Sequence, residues 1–291
     1  LVDHAALFYE WKNGASRSVA SFYPENESIL EENRRVLGRG LRLSVGFEET
    51  GLSLKTESSL WNKLQCEEGT LSCRLRSIEI PIRVFQPNSF NRTVTLLIHP
   101  LGMEGTYPPL ISELLSNSQS IYAMDCFGTG QNVGPQDPEL PRGSSNFFST
   151  FNRSDLAERI GDIGRVLRFI LDQDDAEIVN VVGYGKAGLW SLIAGACIIP
   201  EKRLRFLLDL DGFDFSNATS YIRDFELPGI FHAGGLDNAA ALLAPSEILL
   251  HNIGDSELRW VTAAYALFAD AKLRIEDKRI STLGMTEFLI K

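Results

Sequence analysis

Apolar and polar positions along the chain alternate between short strand-like runs and longer helical stripes. Val94 to His99, Ser120 to Asp125, Ile178 to Gly183, Arg205 to Leu210, Ile248 to Asn252 and Lys272 to Glu276 are short runs of β-branched and aliphatic residues, as in strands buried on both faces. Between them lie helical patterns. Leu156, Ile160, Ile163, Val166, Leu167 and Ile170 form one stripe over Asp155 to Leu171, with Ser154 or Asp155 as cap. Tyr107-Pro108-Pro109 opens a helix reaching Leu115, with proline in its first turn. Leu258 to Ala269 and Met285 to Ile290 are two more. Strands that alternate with helices predict a parallel sheet covered on both faces. Upstream, Leu71 to Leu75 and Ile78 to Phe85 alternate with period two and predict an antiparallel hairpin at the sheet edge. Glu25 to Val36 predicts a helix capped by Asn26 or Ser28 and broken at Gly38-Arg39-Gly40. Residues 1–60 thus read as a lead-in that packs on the main domain, or as the tail of an upstream domain, and residues 61–291 as the main domain. Pro135 to Phe151, rich in Pro, Gly, Ser and Phe, reads as a long excursion over one end of the sheet.

The segment from Ile178 to Pro200 organises the rest. A buried strand runs into Gly183-Tyr184-Gly185-Lys186-Ala187-Gly188, then into an apolar small-residue helix stopped at Pro200. Strand, glycine-rich turn, helix is the build of a nucleophile elbow, usually G-x-S-x-G, where small flanking residues let helix and strand approach closely. Here the serine position is Gly185, which has no side chain to attack with. Ser191 lies a turn further into the buried helix and is badly placed to substitute.

Composition narrows the partners. The 291 residues carry 28 basic and 38 acidic side chains, a net charge of −10, which argues against nucleic acid because phosphate binding needs a basic face. No apolar run approaches the roughly 20 residues that span a bilayer. Cys66 and Cys73 flank Glu-Glu-Gly-Thr-Leu-Ser, a sequence suited to a hairpin, so a disulfide fits there; Cys126 and Cys197 read as buried thiols. No C-x-x-C or His/Cys cluster calls for zinc, and no cofactor is expected. Sequons at Asn26, Asn91, Asn152 and Asn217 hint at a secreted eukaryotic chain and are silent for a bacterial one; a secreted or periplasmic setting is expected over a cytoplasmic one. The chain opens at Leu1 without a signal-peptide pattern, as expected of a piece of a longer multidomain polypeptide or of a chain whose leader was removed.

In order and spacing, these landmarks resemble the α/β-hydrolase fold, over roughly residues 61–291. The strand ending His99-Pro100-Leu101-Gly102 is similar to the family's oxyanion turn, and Asp125-Cys126-Phe127-Gly128-Thr129-Gly130 to its D-x-x-G-x-G loop. Gly183 to Gly188 matches the elbow except at the nucleophile. Pro228-Gly229-Ile230 followed by Ala239 to Pro245 resembles the acetyl xylan esterase and carbohydrate-esterase branch, although Ser246-Glu247 stands where arginine and a second proline are usual.

The resemblance implies a role for each matching position. Gly185 takes the nucleophile's place and Asp255 the acid's, while the amides of Lys186 and of one residue from Leu101 to Met103 (with Gly102 between) take the oxyanion donors'. His99 and Tyr184 flank the pocket. The triad histidine belongs between Asp277 and Gly284, where there is none; the chain's four histidines are His4, His99, His232 and His251. Asp125 and Asp209 read as sheet-end residues that bond neighbouring loops, Glu104 as an unassigned carboxylate at the mouth, and His232 as a loop residue near the pocket. The implied function is a catalytically degenerate, esterase-like domain that binds or scaffolds, with an acylated carbohydrate or acyl ester as ligand. The alternative is an active carboxylic ester hydrolase working through a non-standard site.

Overall fold

The computed structural model describes residues 4–48, 51–73, 78–132, 152–173, 175–198, 203–215, 229–254 and 258–290, with 217, 221, 225 and 227 singly. A nine-stranded sheet runs through them in the order β1-β2-β3-β5-β4-β6-β7-β8-β9. Its strands are β1 Ser53–Trp61, β2 Leu64–Cys73, β3 Ile78–Phe85, β4 Thr93–Ile98, β5 Ser120–Met124, β6 Ile178–Gly183, β7 Arg203–Asp209, β8 Glu247–His251 and β9 Leu273–Glu276. From β5 and β4 to β9 the pairing is parallel, and β1, β2 and β3 join it antiparallel. This is the expected α/β-hydrolase architecture, with one edge strand more than the hairpin read from sequence. β1 starts at Ser53, earlier than Trp61. Asn62 and Lys63, both at positive φ (48° and 68°), make the two-residue turn into β2, the backbone that suits a hairpin's twist.

Two apolar layers cover the sheet. Its central strands are buried on both faces past their first residues, so alternate residues feed opposite faces: Leu96, Val181, Leu208 and Leu250 go to one layer, Leu97, Val182, Leu207 and Leu249 to the other. The first layer takes α5 (Asp155–Leu171) and α6 (Lys186–Ala196); the second takes α4 (Pro108–Ser116) and α9 (Thr282–Ile290). The stripe and cap read from sequence place α5 correctly, with Ser154 accepting from the Ala157 amide at 3.2 Å.

The N-terminal helices α1 (His4–Val19), α2 (Glu27–Asn33) and α3 (Arg39–Val45) join the first layer through Phe8, Leu30, Leu41 and Val45. Asn26 caps α2, accepting from Ile29 at 2.9 Å. The break expected at Gly38-Arg39-Gly40 does not occur: a π turn over Arg34–Gly38 carries α2 into α3. Leu37, Leu41 and Val45 make a buried i, i+4, i+8 stripe, whose burial outweighs the roughly 1 kcal/mol penalty of each helical glycine. The buried pair Asn33–Asn238, bonded both ways at 2.6 and 3.1 Å, fastens α2 to α7 (Gly235–Ala241).

The disulfide reading is corrected. Cys66 and Cys73 lie on one continuous strand, β2, and all four cysteines are free and buried. Seven residues of strand span about 23 Å, beyond the 7 Å or so that a bridge allows between Cα atoms. Pro135 to Phe151, read as a long excursion, lies outside the described residues.

Candidate functional site

β6 passes through Tyr184 to Gly185, and α6 begins at Lys186. Gly185 has φ 50° and ψ −133°, an elbow backbone that L side chains rarely adopt. Its neighbours allow the close approach. A Cβ at 183 would stand 2.5 Å from the Gly188 Cα, and one at 188 would overlap the Asp209 carbonyl. At 185 itself there is room: the nearest atoms to a Cβ would be Asp211 Oδ1 at 3.5 Å and Pro100 Cγ at 3.8 Å. Lys186 opens the helix with its side chain exposed.

The turn after β4 lies alongside. The three amides of this turn that the sequence offered as oxyanion donors, beside that of Lys186, are engaged within the protein. Leu101 N–H donates to His99 Nδ1 (3.1 Å), Gly102 N–H to the His99 carbonyl (2.9 Å) and Met103 N–H to Asp125 Oδ1 (2.6 Å). Asp125 also accepts from the Gln131 amide at 2.8 Å, so one buried carboxylate ties the turn to the loop after β5. Burial raises its pKa against those two amides. Gly102, at φ 74°, is needed because a Cβ there would stand 2.9 Å from the Gly130 Cα. Desolvation lowers the pKa of His99 and favours the neutral ring whose Nδ1 accepts from Leu101. Its ring lies 5.5 Å from that of Tyr184. The Tyr184 hydroxyl is buried without a partner among the described residues, and burial pushes its pKa up.

Asp255, the expected acid, lies outside the described residues. The segment searched for a histidine brings Arg279 instead. Its Nε donates to Asp209 Oδ2 at 2.7 Å and its Nη2 lies 3.5 Å from Asp211 Oδ1. Asp209, at the end of β7, also accepts at Oδ1 from the Asp211 amide and from Asn252 Nδ2, each at 2.8 Å. Asp211 and Asn252 hold φ 55° and 56°, conformations that Asp and Asn tolerate better than most residues. The sheet register sets His99, Tyr184, Asp209 and His251 side by side at the carboxyl ends of β4, β6, β7 and β8, on the face covered by α9. His251 is 3% exposed, with neither ring nitrogen bonded among the described residues. Burial lowers its pKa against the pull of Asp209.

Glu104 is a structural carboxylate. It accepts from Arg83 Nη2 at 2.7 Å and from Trp61 Nε1 at 3.0 Å, and those bonds hold its pKa below the ordinary carboxylate value. Arg83, buried against the Trp61 ring at 4.8 Å, also binds Glu68. His232 sits in the short helical turn Ile230–Ala233 with its side chain exposed. The reading of Asp125 and Asp209 as residues that bond neighbouring loops agrees with these contacts. Sequence reasoning missed Arg279 and Asp211, because a search for histidine passes over a cation of another type. Among the described residues no cluster of His, Cys, Asp and Glu could hold a metal ion, and no helix is long and apolar enough to cross a membrane.

The chain beyond Asp211 runs on to Asp214 and Phe215, which line a cavity of about 770 Å³ together with Lys12, Tyr23, Phe231 and Trp260. Lys12 Nζ donates to the Phe215 carbonyl at 3.0 Å. The cavity mixes ring faces with charged groups.

No family model matches the chain, and no curated protein matches it. Solved structures do. A putative acetyl xylan esterase from Bacteroides fragilis NCTC 9343 superposes with a TM-score of 0.66 at 12% identity, covering 91% of this chain and 84% of its own. Acetyl xylan esterase 1 from Thermoanaerobacterium sp. JW/SL YS485 gives 0.56 at 15% identity, covering 87% and 92%. A promiscuous CE15 esterase from a marine bacterial metagenome gives 0.53 at 11%, covering 91% and 92%. The likeness is one of fold: this chain has the α/β-hydrolase fold of these esterases.

Proposed function

We propose that the chain is a catalytically degenerate, esterase-like α/β-hydrolase domain that binds an acylated carbohydrate or a related acyl ester without turning it over. The observation that carries this reading is the glycine at 185, in an elbow backbone with nothing on it to attack an acyl carbon. Acyl transfer on this fold needs a nucleophile and a base that activates it, and losing either typically costs several orders of magnitude. The base's segment holds Arg279, committed to Asp209 and Asp211. Asp255 keeps the acid's place by resemblance, but an acid without a histidine has nothing to orient. The rings and charged groups of the 770 Å³ cavity suit the faces and hydroxyls of a sugar. Such a domain would serve as a recognition module, beside an active domain in a longer polypeptide.

The test is acetate release from an acetylated xylo-oligosaccharide and from an activated acetate ester, with binding followed by calorimetry in the same samples. The expected result is binding without release. Release above background that falls in Gly185→Ala would overturn the reading and favour an active ester hydrolase with an unconventional site.

A further inference from the structure

A second cavity lies at the opposite end of the strands from the elbow, near the starts of β7 and β8. Its volume, about 610 Å³, is in the range of small-molecule sites, roughly 300–1,000 Å³. The floor is hydrocarbon: Leu204 and Phe206 of β7, Ile198 beyond α6, and Leu243 beyond α7. The wall is the α2–α3 helix, which presents Arg34, Arg35, Arg39 and Arg42 to it. In a chain of net charge −10, four arginines within three turns of helix are a local reversal of sign.

They are not equivalent. Arg34 is bound by Glu31 at 3.2 Å and Arg35 by Glu32 at 2.6 Å, and Arg42 lies over the Phe47 ring at 5.4 Å. Arg39 is exposed and has no hydrogen-bond or ion-pair partner among the described residues. Leu43, one turn further along and also lining the cavity, is 72% exposed. The mouth thus sets an uncompensated guanidinium beside bare hydrocarbon, and the interior continues the hydrocarbon. The π turn over Arg34–Gly38 lies in the same wall, and such turns are frequent at functional sites.

We propose that this cavity takes the tail of a free single-chain fatty carboxylate, with its head group on Arg39. An apolar interior selects length, and a rim cation selects the ionised head over a neutral ester. This proposal does not depend on the reading of the elbow.

Calorimetry below micellar concentrations would compare octanoate, decanoate and dodecanoate with their methyl esters, and with vesicles of phosphatidylglycerol and phosphatidylcholine. Affinity should rise about fourfold for each added methylene until the cavity is full, and each acid should bind about two- to fivefold more tightly than its ester. Arg39→Glu should abolish the preference for the acid and leave ester binding in place. Ala196→Phe, which fills the cavity from the half-buried end of α6, should abolish both at an unchanged melting temperature. No binding of dodecanoate, or affinity indifferent to chain length in the native chain, would overturn the proposal even if Ala196→Phe fails to fold. Binding to anionic vesicles without binding of the free acids would also overturn it, and would give the arginines to a membrane head group.

Discussion

Replacing Gly185 by alanine isolates the conformational demand of the elbow from its packing. The glycine holds φ 50° and ψ −133°, and a Cβ there would meet only ordinary van der Waals neighbours at 3.5 and 3.8 Å. The cost is therefore backbone strain alone, about 1–3 kcal/mol for a side chain held in so sparse a region. Unfolding entropy of about 2.1 cal/mol/K per residue gives a chain of 291 residues roughly 0.6 kcal/mol/K. The expected fall in melting temperature is therefore about 2–5 °C. Gly188→Ala is the counterpart in which packing decides. Its Cβ would overlap the Asp209 carbonyl oxygen and stand 2.7 Å from the carbonyl carbon. Those are backbone atoms of a central strand that cannot rotate away, so the loss should exceed about 4 kcal/mol. Thermal and urea melts followed by circular dichroism rank the two variants. If Gly185→Ala melts at or above the native temperature, as a glycine at ordinary φ would allow by restricting the unfolded chain, the strained elbow is refuted. Equal losses in the two variants would refute the separation of strain from packing.

The charge network and the turn give further tests. Arg279→Leu leaves Asp209 Oδ2 without its cation while Oδ1 keeps two donors; a loss of about 1–2 kcal/mol is expected, and Arg279→Lys should recover part of it in the same urea melts. Asp125→Ala removes the acceptor of the Met103 and Gln131 amides, so stability should fall by about 2–4 kcal/mol and hydrogen exchange at Met103 should speed up. Burial pushes the pKa of Asp162 up to about 6, against the attraction of Arg165 at 3.0 Å, so its carboxyl carbon should titrate near there by NMR. Because the folded value lies above the ordinary one, this group's contribution is greatest below about pH 4 and is lost as pH rises through the folded pKa; a midpoint at the ordinary carboxylate value would refute the role of burial.

Much of the frame was legible because periodicity and capping agreed. α5 carries a stripe and a serine cap, and it runs between the residues the pattern named. Where the pattern failed, tertiary burial had the larger energy. Gly38-Arg39-Gly40 looks like a helix break in isolation, yet Leu37, Leu41 and Val45 are buried in one row and carry the helix through it. Cys66 and Cys73 look like the two sides of a hairpin because alternation begins at Leu71, whereas β2 begins at Leu64. At the site, the elbow was readable because its glycines answer to local backbone demands. The Arg279–Asp209 pair was not, because its partners come from different strand ends and meet only through the sheet order.

The elbow's geometry and its chemistry are separable in this chain, and the energetics suggest why they would separate in this direction. The close approach of β6 and α6 is a packing requirement, set by Gly183 and Gly188 against backbone atoms, and it remains whatever stands at 185. The side chain at 185 carries no packing duty, since the space around it holds only a carboxylate oxygen and a proline edge at contact distance. A serine there would bear strain of about 1–3 kcal/mol, which in an enzyme is offset only by the reaction it performs. Once no histidine is available to activate it, as in the proposed recognition module, glycine relieves that strain and costs the core nothing. The same reasoning applies to Arg279. Asp209 is nearly buried at the strand end and needs a cation or a donor in any case, and an arginine fork satisfies it while also reaching Asp211. On the proposed reading, glycine at 185 and arginine at 279 leave their neighbours better satisfied than serine and histidine would, and introducing either of those residues singly should cost stability before it returned any activity.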